Sequence, residues 1–147
     1  MSATTVEMQR VVPAPASEVY AAWTGADALA RWWWPQLAGT TYAVDARVGG
    51  AYSITSPAIG ATVSGSYTDV TAPTRLAFSW VWEDDEGTSD PDDVVVTFEE
   101  TDDGGTRVHV AHTSSSHDPD GGLEQGWNDV LDRLRGLFEG QSTSSRS

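Results

Sequence analysis

The chain has 147 residues, no cysteine and a formal net charge of −14, and its eight basic residues are all arginine. It therefore offers no disulfide, no thiol nucleophile and no cysteine metal centre, and so acidic a surface repels nucleic-acid phosphates and anionic membranes. The length suits one domain with a substantial core, and no stretch approaches the ~18 apolar residues of a membrane span. The opening MSATTVEMQRVV has neither the basic nor the apolar part of a secretory signal, so a cytoplasmic location is expected.

Val6, Met8 and Val12 alternate with polar residues and predict a first strand, stopped by Pro13 and Pro15. ASEVYAAW then sets Val19, Tyr20 and Trp23 on one face of a short helix that Gly25 ends. ADALARWW starts a second short helix, with Leu29, Trp32 and Trp33 at i, i+3 and i+4. After Pro35 the pattern becomes short strands between turn residues: TYAVDA, AYSITS, ATVSGSYTDV, TRLAFSWVW, DVVVTFEE and TRVHVAHT. Linkers this short demand antiparallel neighbours, and Asp102-Asp103-Gly104-Gly105 marks a hairpin between the last two strands.

The chain closes on a long amphipathic helix. Leu123, Trp127, Val130, Leu131, Leu134, Leu137 and Phe138 share one stripe, with Asp118 and Asp120 near its start and Gly140 as the expected stop. Residues 141–147 have nothing to bury and are expected to be a disordered tail on a single domain of residues 1–140. The whole order predicts an α+β protein: a curved antiparallel sheet around a long C-terminal helix, with two short helices after the first strand closing one end. Such an arrangement often leaves an apolar cavity.

Strand parity selects the residues facing that helix. Leu76, Phe78, Val94, Val96, Val108 and Val110 read as plain core. Tyr52, Tyr67, Trp80, Trp82 and Trp127 face the same way but carry polar atoms that need partners when buried, and they fit either a core or a pocket for an aromatic ligand. His112 shares their face; it reads as a core histidine bonded to tyrosine or backbone, with ligand contact or general-base work as the rival. His109 has the opposite parity and His117 lies in a polar loop, so no metal spacing arises and no cofactor is expected. Asp45 and Arg47, two apart on one side of a strand, read as a rim salt bridge bracing the Gly49-Gly50 turn rather than an acid–base pair. The acidic run Glu83–Asp93 lacks the ligand order of a calcium loop and reads as a solvated turn. Ser114, Ser115 and Ser116 have no triad partners in a recognisable order.

The run RWWWP divides. Trp32 and Trp33 continue the Leu29 stripe and are expected to pack the second helix onto the sheet. Trp34 falls about 140° from Leu29 on the helical wheel. It also precedes Pro35, which disfavours helical conformation, so it is expected to cap a pocket entrance or stand half exposed.

Four stretches carry a family resemblance: VPAPASEVYAAWT with LARWWWP, VDARVGGAYSI, GSYTDVTAPTRLAFSWVW, and VVVTFEETDDGGTRVHVAHTSSS followed by GWNDVLDRLRGLFE. Together they resemble the START-like (SRPBCC) superfamily with its helix-grip fold, and most of all the branch named for the activator of the heat-shock-protein-90 ATPase. The third place of the branch's Trp-Trp-small-Pro signature holds the bulky Trp34.

The resemblance is specific for the fold and not for the function; with the inward-facing aromatic residues it reads as a binding module, and an enzyme stays open as an alternative. The module would sequester, carry or present a small hydrophobic, aromatic or polyketide-like molecule, with Trp34, Tyr52, Tyr67, Trp80, Trp82, His112 and Trp127 as candidate contacts. The superfamily also implies three rivals: a polyketide cyclase or aromatase, a self-resistance protein of an enediyne-type antibiotic producer, and a chaperone-ATPase regulator. A monomer or weak dimer, with neither nucleic acid nor membrane as partner, is expected.

Overall fold

Alternating side chains need a sheet with one covered face, and the computed structural model supplies it. It describes residues 4–33, 37–85, 87–88, 91–114 and 122–145. In chain order these form β1 (Thr4–Val12), α1 (Ala16–Thr24), α2 (Ala26–Leu29), β2 (Thr41–Val44), β3 (Ala51–Ser56), β4 (Ala61–Thr71), β5 (Arg75–Asp84), β6 (Gly87–Thr88), β7 (Asp92–Glu100), β8 (Thr106–Ser114) and α3 (Gly122–Ser145). The strands pair antiparallel in the order β1-β8-β7-β5-β4-β3-β2, with β6 added to β5. The result is the expected curved sheet with a long C-terminal helix, the helix-grip α+β arrangement.

The core lies between the sheet and α3. Val94, Val96 and Phe98 of β7, Val108 and Val110 of β8, and Trp127, Val130, Leu131 and Leu134 of α3 are all buried. Arg10 ties β1 to the helix from the same strand face as Met8 and Val12. Its Nε donates to Asp132 Oδ1 at 2.7 Å and its Nη2 to Asn128 Oδ1 at 2.9 Å, so α3 is fixed laterally as well as by burial. α1 begins at Pro15 without a side-chain cap; instead Ala16 N donates to Glu100 Oε2 at 3.3 Å, a carboxylate placed where the helix dipole favours it.

β4 and β5 come into close contact at Gly65. A β-carbon there would lie 1.9 Å from the Ser79 carbonyl oxygen of β5, so only glycine lets the two strands approach. The Tyr52 ring, opposite Gly65 on β3, sends its hydroxyl to that same Ser79 carbonyl at 2.8 Å. The register of β4 against β5 then shifts between Tyr67 and Asp69.

Several expectations change. α2 is a single turn, although Trp32 N and Trp33 N both still bond to Leu29 O and keep the expected stripe. Asp45 and Arg47 lie in the turn after β2 rather than in a strand; Arg47 Nε donates to Asp45 Oδ2 at 2.9 Å on the surface, and Gly49 in that turn has φ +85°. The acidic loop carries β6. α3 runs past Gly140 through Ser145, so residues 141–145 of the tail expected to be disordered continue the helix. Trp34, Ser115, Ser116, His117, Asp118 and Asp120 lie outside the described residues.

Gly65→Ala should cost at least the ~1–3 kcal/mol of an overpacked site, because the obstacle is backbone and cannot rotate away. An unchanged urea midpoint would show that β4 and β5 separate freely.

Candidate functional site

Large rings from five elements and the turn after α2 meet on the concave face of the sheet. Trp23 of α1 lies 4.8 Å from Trp32 and 6.1 Å from Trp127, centroid to centroid. Trp33 lies 5.2 Å from Trp127 and 5.9 Å from Trp80. Trp80 of β5 lies 5.3 Å from Trp127. Beside this cluster Tyr52, Tyr67 and Phe78 form a second one, with centroids 5.3–6.0 Å apart. Between the two lies a cavity of about 20 Å³, lined by Trp23, Leu29, Trp33, Tyr52, Ile54, Tyr67, Leu76, Phe78 and Trp80.

Of the polar side-chain atoms in the clusters, those of Trp32, Trp127 and Tyr52 are spent on the protein itself. Trp32 Nε1 donates to Ala22 O at 3.0 Å, and the Tyr42 hydroxyl holds the Trp33 carbonyl. Burial raises the pKa of Tyr52 well above its ordinary value, with the Tyr67 phenol adding to it. Burial likewise raises Tyr67, with help from Tyr20 and then Asp45, so both line the cavity as neutral phenols.

Behind Trp80 and Trp127 sits a buried polar chain. Trp127 Nε1 donates to His112 Nδ1 at 2.9 Å, and His112 Nε2 lies 2.9 Å from Asp92 Oδ2. An indole N–H can only donate, so Nδ1 must be the bare nitrogen, and Nε2 carries the proton and donates it to the carboxylate. His112 is wholly buried and Asp92 nearly so. Desolvation lowers the His112 pKa, against the opposing pull of the Asp92 bond and of the charges on Asp92 and Asp93. The imidazole is thus neutral, with both nitrogens engaged. It has no nitrogen left to take a proton from a bound molecule unless one of these bonds breaks.

Of the seven residues expected to contact a ligand, Tyr52, Tyr67 and Trp80 line the cavity. His112 and Trp127 stand outside its lining, joined to each other; the histidine's partners are tryptophan and aspartate, not tyrosine or backbone. Trp82 is half buried and turns its Nε1 to Asp84 Oδ2 at 2.8 Å. Trp34 lies outside the described residues. Three further lining residues, Trp23, Trp33 and Phe78, read from sequence as packing. Asp92 was assigned to a solvated turn, yet its parity with Val94, Val96 and Phe98 already placed it on the inner face.

The curved sheet, gripped helix and aromatic interior define a protein of the START-like (SRPBCC) type. Within that class the chain belongs to the family described as Activator of Hsp90 ATPase homolog 1-like protein, which it matches over residues 13–139. Among solved structures it is similar to protein CV1439 from Chromobacterium violaceum, at 25% identity and a TM-score of 0.75, covering 92% of this chain and 97% of that one. It is also similar to CalU16 from Micromonospora echinospora, at 26% identity and a TM-score of 0.71, covering 92% of this chain and 76% of that one. A protein of the dynemicin biosynthetic locus, DynU16, shares the fold at 22% identity and a TM-score of 0.76, over 92% of this chain and 47% of that one. No curated protein matches the chain. Among the described residues no helix is long and apolar enough to cross a membrane, and no group of histidine and carboxylate side chains is placed to hold a metal ion.

The neutral imidazole makes stability depend on pH with a definite sign. An unfolded histidine titrates near ~6.5, and His112 in the folded chain titrates lower. Below ~6.5 the unfolded chain binds a proton that the folded chain refuses, so the His112 contribution is complete above that value and is lost as the pH falls through it. The urea midpoint should drop between about pH 7.5 and about pH 5.5, and should drop less in His112→Gln. Equal drops in the two proteins would remove His112 from this account.

Proposed function

We propose that this protein binds a small hydrophobic, aromatic molecule in the cavity between the sheet and the helices, to sequester, carry or present it. The observation that carries this reading is the lining: six of the nine residues around the cavity are aromatic, and they come from α1, β3, β4, β5 and the turn after α2. Burial against them would supply affinity at ~25 cal/mol per Å² of apolar surface. Because both His112 nitrogens are occupied within the protein, binding is favoured over a histidine-based cyclase reaction.

The space between the lining residues is about 20 Å³, room for one water, whereas pockets for drug-sized ligands span ~300–1,000 Å³. Binding therefore requires the rings to part. Trp33 is the lining ring with the least regular structure behind it, since α2 is four residues long and the chain after it is turn. Short elements with few backbone bonds open at the lowest free-energy cost. A ligand entering beside Trp33 would meet Trp80 and Tyr67 on the sheet.

The test is a titration with anthracene, naphthalene and their hydroxylated derivatives, followed through assigned amide and indole N–H shifts. Resonances of Trp23, Trp33, Tyr67 and Trp80 should move together, and His109, on the outer face, should not. If no lining residue responds to any of these compounds, the binding reading fails. Trp33→Ala should cost about 3–5 kcal/mol of stability by urea denaturation, as other core aromatic truncations do, while enlarging the cavity. A loss below about 1 kcal/mol would mean that Trp33 already spends much of its time outside the cluster.

A further inference from the structure

Among the described residues, Trp32 gives its indole N–H to Ala22 O, Trp82 to Asp84 Oδ2 and Trp127 to His112 Nδ1. Trp23 does not. Its ring is 4% exposed and lines the cavity, yet its Nε1 has no hydrogen-bond partner among the described residues. One turn earlier on α1 the Tyr20 hydroxyl is in the same position: buried, with no partner among the described residues. Tyr20 packs edge-on to Phe98 at 5.3 Å, and Trp23 packs on the same ring at 6.0 Å, so both side chains leave α1 on one side.

A buried donor without an acceptor is costly, and such groups in folded proteins call for an explanation. At Tyr20 a phenylalanine would fill nearly the same space without the penalty. At Trp23 packing accounts for the size of the ring, which meets Trp32, Phe98 and Trp127, but not for its unpaired N–H. An indole nitrogen offers only donation, so what would complete Trp23 is an acceptor atom arriving in the cavity. Tyr52 cannot take this part, because its hydroxyl is committed to Ser79 O at 2.8 Å.

We propose that the ligand carries an acceptor oxygen, a ketone or quinone carbonyl, on its aromatic frame, and that Trp23 Nε1 holds this oxygen. This rests on the binding reading above and narrows its chemical class. Trp23 orients the ligand as well as contacting it: an aromatic hydrocarbon of the same shape would enter the same rings but leave the donor unpaired. Discrimination of this kind is strong because the wrong ligand strands a buried polar group.

The experiment compares 1-indanone with indane, two bicyclic frames of similar size that differ by one carbonyl. In the unsubstituted protein 1-indanone should move the Trp23 indole N–H resonance downfield, while indane should shift lining amides but leave that resonance nearly in place. In Trp23→Phe the preference for 1-indanone over indane should fall about tenfold. If the two compounds affect the Trp23 resonance alike, or if the preference survives in Trp23→Phe, the acceptor assignment is overturned and the pocket stands. If neither compound moves any lining resonance, the pocket reading falls and the assignment with it. The shift in the unsubstituted protein decides the matter even if Trp23→Phe does not fold.

Discussion

The bond from the Trp127 indole to His112 Nδ1 holds the interior in register. It runs from the long helix to the sheet, and its donor and acceptor are both fully enclosed. A hydrogen bond in such a setting is modest in net worth, but leaving either end unmade is costly, so the position of α3 along the sheet is specified rather than merely favoured. Asp92 fixes the other end by holding the imidazole proton at Nε2. Once Trp127 is placed, its ring sets the positions of Trp23, Trp33 and Trp80 around it, and through them the wall of the cavity. Arg10 adds an independent restraint from β1 through Asn128 and Asp132, one turn apart on α3, so the grip does not depend on apolar burial alone.

The rings that stabilise the concave face also fill it. Under the proposed function this would set stability against binding, since an occupant would have to displace indoles that are in contact with one another. The sheet side is the fixed partner in that exchange. Gly65 draws β4 against β5, and Tyr52 spans the glycine to reach Ser79, so the strand wall is cross-braced at that close contact. The helical side is built of short pieces joined by turns. On the proposed binding reading, ligand entry and ring displacement would belong to the region of α1 and α2, with the sheet as the template.

Much of the fold was legible in the sequence because it rests on period-2 and period-3.6 patterns. Tyr52, Tyr67, Trp80 and His112 fell on the inner face by parity alone, and the C-terminal stripe gave α3 its buried side. The pairing of polar atoms was less legible. Nothing local to His112 announces that its partner lies fifteen residues on, across an intervening segment and in a helix. Asp92 was lost in a run of acidic neighbours, where composition outweighed parity. Trp23 and Trp33 satisfied a helical stripe so well that packing seemed a complete account of them. Whether a buried indole has an acceptor depends on the third dimension, and no spacing rule encodes it.

Five of the indoles form a connected chain: Trp32, Trp23, Trp127, Trp80 and Trp33, with successive centroids 4.8–6.1 Å apart. At such separations an excited ring passes its energy to a neighbour before it emits. A molecule that quenched one of these five rings would therefore dim its neighbours too, and emission from the cluster would not tell which ring had been touched.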